Sequence, residues 1–273
     1  AFMTDIHLQP EKNAVEGLSL ALDSVNSLKP DFILTGGDLI MDALGTTYGR
    51  ADSLYKLYQE TIKKAHCPVY NTMGNHELYG IYDRAEADPQ GEEYGEKMFE
   101  KRLGESYYAF ENKGWKFFII NSIEDTQNNG YTGLIDEKQL NWIKSELEKT
   151  DNSTPIVIST HIPFISVFTQ KYQGSTVPNS PGIVVANSKD VLDLFADYNL
   201  KLVLQGHLHA LEDIEIDGIH FITVGAVCGG WWNGPNRTYE EGFAFLKFSE
   251  NNFSWRYVDY GWDLNDTNLF FAP

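Results

Sequence analysis

A chain of 273 residues is long for one domain, yet layered α/β folds keep this length around a single core. Its net charge of −18, from 21 Lys and Arg against 39 Asp and Glu, opposes binding to polymeric nucleic acid or anionic lipid, which needs many cationic contacts to phosphate. Two cysteines, Cys67 and Cys228, exclude a disulfide framework and read as buried thiols, and no apolar run approaches the roughly 18 to 20 residues of a membrane span.

Phe2-Met3-Thr4 reads as a first strand that runs into Asp5-Ile6-His7, whose carboxylate and imidazole share one side if the chain stays extended. Val15, Leu18, Leu22 and Val25 recur at helical spacing, with Pro30 beyond them. Phe32-Ile33-Leu34 is a short strand emptying into Gly36-Gly37-Asp38, where glycine lets the backbone turn tightly and present the carboxylate. Leu54, Leu57, Tyr58 and Ile62 predict a second helix, and Pro68-Val69-Tyr70 a third strand ending at Gly74-Asn75-His76-Glu77. The polar stretch 79–95 predicts a surface excursion before a helix at 96–103. Residues 107–110 and 115–120 form a hairpin around Asn112-Lys113-Gly114, and a polar loop with Asn128-Asn129-Gly130 comes next.

Asp136 with Gln139 resembles a capping box for a helix burying Leu140, Ile143 and Leu147. The strand 155–159 delivers Thr160-His161, and 164–187, with Gly174, Pro178, Pro181 and Gly182, is expected to be a long loop bordering a site. Ser188 caps a helix carrying Val191, Leu192 and Phe195, and 201–204 is the strand before Gly206-His207-Leu208-His209. Alternating segments at 211–217, 219–224, 242–248 and 253–258 predict antiparallel strands. Between them a flexible loop from Gly229 to Pro235 holds Trp231 and Trp232. One domain is expected over 1–262, with a C-terminal tail at 263–273 in which Leu269-Phe270-Phe271 docks or leads onward. The chain opens inside a strand, so upstream residues, a signal peptide included, are expected to be absent.

Five of the seven histidines, His7, His76, His161, His207 and His209, come after strand-like segments. Each motif alone is weak, because a lone Asp-x-His is usually a surface pair and Gly-Gly-Asp usually a turn. As a set they persuade: strand ends of a layered α/β sheet converge on one crevice, which brings Asp5, His7, Asp38, Asn75, His161, His207 and His209 together. Seven oxygen and nitrogen ligands exceed the four of a structural zinc site and fit two divalent or trivalent metals sharing a carboxylate. The absence of thiolate favours Fe, Mn or Zn without choosing among them. Two such ions about 3.5 to 4 Å apart polarise a phosphoryl oxygen and generate a hydroxide at neutral pH, which makes phosphoester hydrolysis the expected chemistry.

Asp5-x-His7, Gly37-Asp38, Gly74-Asn75-His76-Glu77, Thr160-His161 and Gly206-His207-Leu208-His209, in this order, resemble the five signature blocks of the calcineurin-like metallophosphoesterases. The resemblance covers residues 3 to 210 and implies a four-layer αββα fold, a sandwich of two mixed β-sheets flanked by helices. It implies that Asp5, His7, Asp38 and His209 hold one metal and Asp38, Asn75, His161 and His207 the other, with a bridging hydroxide attacking phosphorus in line. His76 resembles the histidine that contacts the phosphate and assists the leaving oxygen. Many members carry an acidic residue three positions after the bridging aspartate to orient that histidine; here Met41 stands there, with Asp42 one later, and the arginine of the protein serine/threonine phosphatase branch is absent.

The expected substrate is a small phosphodiester or nucleotide, with a phosphomonoester, or a non-catalytic metal-binding scaffold, as the alternatives. A scaffold would show degenerate ligands or a replaced His76, and neither occurs. By resemblance alone the chain is expected to be an exported, periplasmic bacterial enzyme. Trp231-Trp232 reads first as local packing and second as an aromatic wall for a nucleobase or sugar. Arg84, Lys171 and Arg237 read as solvated side chains in loops that could reach a phosphate, and Glu92-Glu93 as a solvated pair.

Overall fold

A computed structural model of the chain describes residues 1–263; the Leu269-Phe270-Phe271 part of the expected tail lies outside the described residues. The strands are β1 (Phe2–Met3), β2 (Ile33–Thr35), β3 (Val69–Tyr70), β4 (Tyr108–Asn112), β5 (Trp115–Ile120), β6 (Ile123–Asp125), β7 (Tyr131–Gly133), β8 (Ile156–Thr160), β9 (Leu200–Gln205), β10 (Glu212–Ile216), β11 (Ile219–Thr223), β12 (Gly242–Phe248) and β13 (Phe253–Asp259). The helices are α1 (Ala14–Leu28), α2 (Tyr48–Thr61), α3 (Lys97–Leu103), α4 (Glu137–Leu147), α5 (Phe168–Gln173) and α6 (Ser188–Leu194).

Neighbouring residues on a strand point to opposite faces, and this period of two builds the layers. Phe2, Leu34, Phe117, Val157 and Leu202 join one apolar cluster, and their neighbours Met3, Ile33, Phe118, Ile158 and Val203 join another. The first cluster fills the space between a sheet of order β13-β12-β1-β2-β3 and one of order β10-β11-β9-β8-β5-β4. The second gathers the outward faces with Leu18, Leu22 and Val25 of α1, Leu54 and Tyr58 of α2, Ile143 and Leu147 of α4, and Val191 of α6. The fold is therefore the expected sandwich of two mixed sheets flanked by helices. Among the described residues no helix is long and apolar enough to cross a membrane.

Several local expectations are corrected. The loop after β5 contains the hairpin β6–β7, and the stretch 164–187 contains α5. Segment 219–224 is antiparallel to β10 but parallel to β9. Asp136 caps α4 through Gln139 N, but the Gln139 side chain turns instead to the backbone of Asn121, so the reciprocal bond of a capping box is absent. Leu140 is only half-buried, and Gln139 takes the buried place because both ends of its amide are satisfied. Asn187, not Ser188, is the cap position of α6. Glu93 is held by Arg102, Lys101 and Tyr48, and Cys67 is half-buried while Cys228 is buried.

Candidate metal centre

Strands β1, β2 and β3 run parallel, as do β5, β8, β9 and β11. Asp5 and His7 lie just past β1, Asp38 past β2, Asn75 past β3, His161 past β8, and His207 and His209 past β9. All seven predicted ligands thus leave the carboxyl ends of parallel strands, where an α/β sheet opens its crevice. The structure brings all of them together.

The backbone reaches this arrangement by a route that the extended reading misses. Asp5, His7, Asp38, His207 and His209 have φ of 53°, 45°, 52°, 70° and 46°. Five of the seven therefore lie in the left-handed region, which costs a non-glycine residue roughly 1 kcal/mol or more and persists where surrounding structure enforces it. Part of the enforcement is visible. A side chain at Gly206 would meet Thr4 Oγ1 at 2.1 Å and Asp5 Oδ2 at 2.8 Å, and one at Gly37, itself at φ 90°, would meet the His161 ring at 2.5 Å.

Asp38 Oδ2 lies 3.2 Å from His161 Nε2, 3.6 Å from His7 Nε2 and 3.9 Å from His76 Nε2. On one side, His7 Nε2 and His209 Nε2 are 3.0 Å apart, with Asp5 Oδ1 3.3 Å from His209. On the other, His161 Nε2 lies 3.1 Å from Asn75 Oδ1 and 3.2 Å from His207 Nδ1. The two histidines of Gly206-His207-Leu208-His209 therefore part, one to each side of Asp38.

Burial raises the Asp38 carboxyl, but the imidazoles, His161 foremost, overcome it and hold the group well below the usual carboxylate range. Burial likewise opposes ionisation of Asp5, yet His209 holds it at about 2. Burial lowers His161, and Asp38 reverses this and lifts it to about 9; His207, buried beside His161, falls to about 4. The imidazoles around them thus favour the ionised form of both carboxylates.

The donor chemistry fits metal ions. His161 Nδ1 donates to Gly36 O, His207 Nε2 to Gly182 O and His209 Nδ1 to Gly229 O, at 2.6 to 2.8 Å. A ring nitrogen tied to a carbonyl carries the proton, so in each neutral ring the other nitrogen turns a lone pair inward, as a metal ligand requires. The carboxylates accept from Thr4 Oγ1, His76 N and His207 N, and His161, lifted to about 9, keeps a proton toward Asp38 that a bound cation would replace. Chelation followed by addition of Mn²⁺ or Zn²⁺ at about 100 times its dissociation constant is expected to raise stability by about 2.7 kcal/mol. Thermal melts check this, and an unshifted midpoint would contradict the fit.

Sequence reasoning missed four contributors. Glu77, fully buried, accepts from the backbone N–H groups of Asp38, Leu39, Ile40 and Gly74. The Met41 carbonyl, not Asp42, holds His76 Nδ1; Asp42 instead accepts from Leu44 N and pairs with Arg84. Cys228 places its sulfur beside ring nitrogens of His7 and His209, all within 4.8 Å of one another, so the expected lack of sulfur near the site is corrected. Tyr131, from the missed hairpin, stands edge-on to His207 at 6.3 Å. None of the four carries a sequence signal beyond residue type; only Glu77, charged and next to a buried motif, offered a hint. Lys171 donates to Tyr239, and Arg237 lies over Phe168 and Tyr172.

A family model described as calcineurin-like phosphoesterase matches residues 1–211. A probable cyclic nucleotide phosphodiesterase of Coxiella burnetii is 24% identical over 235 residues, covering 82% of each protein. A 3',5'-cyclic adenosine monophosphate phosphodiesterase of Haemophilus influenzae is 22% identical over 239 residues, covering 83% of this chain and 75% of the relative. Among solved structures, a dimetal phosphatase from Danio rerio shares the fold with a TM-score of 0.64 at 14% identity, covering 96% of each chain. The family match takes in every residue of the cluster around Asp38 except Cys228, and the chain accordingly belongs to the calcineurin-like phosphoesterase family and is a phosphoric ester hydrolase.

Proposed function

We propose that this protein hydrolyses small phosphodiesters or nucleotides at a dinuclear metal centre of Fe, Mn or Zn, with Asp5, His7, Asp38 and His209 holding one ion and Asp38, Asn75, His161 and His207 the other. The observation that carries this reading is Asp38 Oδ2, which faces imidazoles from both sides. The residues fit such ions, and the imidazoles on both sides of Asp38 support its being shared. Two ions bound there supply Lewis acidity that polarises a phosphoryl oxygen and lowers the pKa of an attacking water. The chain's net charge of −18 opposes polyanionic substrates, and two relatives are described as cyclic nucleotide phosphodiesterases, which together support the small-diester reading.

His76 performs the proton step. Its Nδ1 is fixed on the Met41 carbonyl, its ring stands edge-on to His7 at 4.5 Å, and its side chain keeps 21% exposure. Nε2 is therefore the nitrogen left to reach substrate. When protonated it donates to the leaving oxygen as the bond from phosphorus breaks, and water restores the proton. A His76→Ala variant is expected to lose about 10²- to 10⁴-fold in kcat on alkyl esters. The loss on p-nitrophenyl esters is expected to be much smaller, because that leaving group departs without a proton. Equal losses on both would remove His76 from this role.

The function itself is tested by reconstituting the protein with each metal and assaying bis-p-nitrophenyl phosphate, p-nitrophenyl phosphate and 3',5'-cyclic nucleotides. Diester turnover exceeding monoester turnover supports the reading. Two bound ions per chain with no turnover of any ester would favour a scaffold.

A further inference from the structure

Trp231 and Trp232 are adjacent, yet the fold uses them in opposite ways. Trp232 is completely buried: its Nε1 donates to His7 O at 3.1 Å, and its ring lies so close to Gly17 that a side chain there would meet it at 2.2 Å. Trp231 keeps 43% of its surface exposed, with its ring 4.7 Å from that of His209 and 5.9 Å from that of His7. Both residues have positive φ, 54° and 62°, a conformation that large side chains avoid unless they are held. The holding is local and dense. Trp232 N donates to Cys228 O, Gly230 N to Gly234 O, and Asn233 Nδ2 to Trp231 O, while Gly229 O accepts from His209 Nδ1. The loop expected to be flexible is tied to His209 on both sides, at Gly229 O and, just beyond its other end, through Asn236 Nδ2, which donates to His209 O.

A tryptophan needed only for packing would be buried as Trp232 is. Here a tied loop in a disfavoured backbone conformation presents indole surface to solvent beside two imidazoles of the cluster. We infer that Trp231 is a specificity-determining residue, the stacking platform for a planar aromatic group, such as a nucleobase, carried by the phosphoester. The inference deepens the proposed function and rests on the site being one for phosphoesters. Indole is well suited to this, since every base has a π-face to stack and stacking is tolerant of base identity. On the opposite flank Tyr131 lies perpendicular to His207 and is half-buried, whereas Trp231 keeps 43% of its surface exposed.

The test reads binding, with phosphorus NMR of each titrated sample confirming that both monoesters stay intact. Adenosine 5'-monophosphate and ribose 5-phosphate are titrated calorimetrically into the metal-reconstituted protein and into its Trp231→Ala and Trp231→Phe variants. The expected result is an affinity for the adenosine compound about tenfold above that for ribose 5-phosphate. Trp231→Ala should erase that preference without weakening ribose 5-phosphate, and Trp231→Phe should keep most of it. A preference unchanged in Trp231→Ala, or an equal loss for both compounds, would overturn the platform. Ribose 5-phosphate separates the two readings: if it fails to bind the unaltered protein, the phosphoester site itself is wrong, whereas binding with an unchanged preference in Trp231→Ala sinks only the platform.

Discussion

Asp38→Asn is expected to lower phosphoester hydrolysis at least a thousandfold and to reduce bound metal from two ions to one or fewer. The substitution keeps size and shape, so Oδ1 can still accept from His76 N, a bond of 2.9 Å that fixes the loop. The difference is the charge on the oxygen facing both sides of the cluster. Oδ2 lies within 3.9 Å of ring nitrogens from His161, His7 and His76, and it is ionised because those imidazoles outweigh burial. An amide there offers either a neutral oxygen or an N–H that repels a cation. Losing several kcal/mol of transition-state charge stabilisation, at about 1.4 kcal/mol for each factor of ten, gives the thousandfold figure. Elemental analysis and steady-state assays on one preparation check both parts. Full activity at reduced metal content would sink the dinuclear reading, whereas His209→Ala should disturb only the His7 side.

The motifs were legible because they obey a topological rule. Each of Asp5, Asp38, Asn75, His161 and His207 comes just after a short apolar segment, and parallel strands deliver the residues at their carboxyl ends to a common crevice. The continuous apolar runs through Phe117-Phe118 and Leu202-Val203 feed both clusters, as strands buried on both faces do in a sandwich covered by helices. The features that escaped were set by tertiary contact. The left-handed backbone at five of the predicted ligands is enforced in part by the close passage of Gly36, Gly37 and Gly206 past neighbouring loops, and a sequence window does not contain those neighbours. The β6–β7 hairpin has three-residue strands without alternation, and α5 follows Val167, a cap position without a side-chain bond, so neither offers a periodic signal. By residue type Asp42 is the natural partner for His76; a backbone carbonyl, which every residue possesses, took its place.

Glu77→Ala is expected to destabilise the protein by about 3 to 5 kcal/mol, although Glu77 is no predicted ligand. Its carboxylate accepts from Asp38 N at 2.9 Å and Gly74 N at 2.7 Å through Oε2, and from Leu39 N at 2.8 Å and Ile40 N at 3.1 Å through Oε1. Two loops, one presenting Asp38 and the other Asn75 and His76, are thus stapled by one side chain. Burial and the neighbouring Asp38 push the carboxyl up to about 8, against the pull of these N–H groups. All four contacts call for the ionised form, which burial and Asp38 oppose, and bound cations beside Asp38 would shift the balance toward it. Removing the side chain strands four donors in a fully buried place, each worth about 1 to 3 kcal/mol when unsatisfied; relief of repulsion with Asp38 and entry of water return part of the sum. Glu77→Gln should cost less than alanine but more than about 1 kcal/mol, since its NH₂ faces donors that need an oxygen. Urea unfolding in the presence of chelator isolates this from metal linkage. A cost below about 1 kcal/mol for the alanine variant would show that the loops hold their places without the staple, and metal titration of the same variant then reads whether Asp38 and Asn75 keep their relative positions.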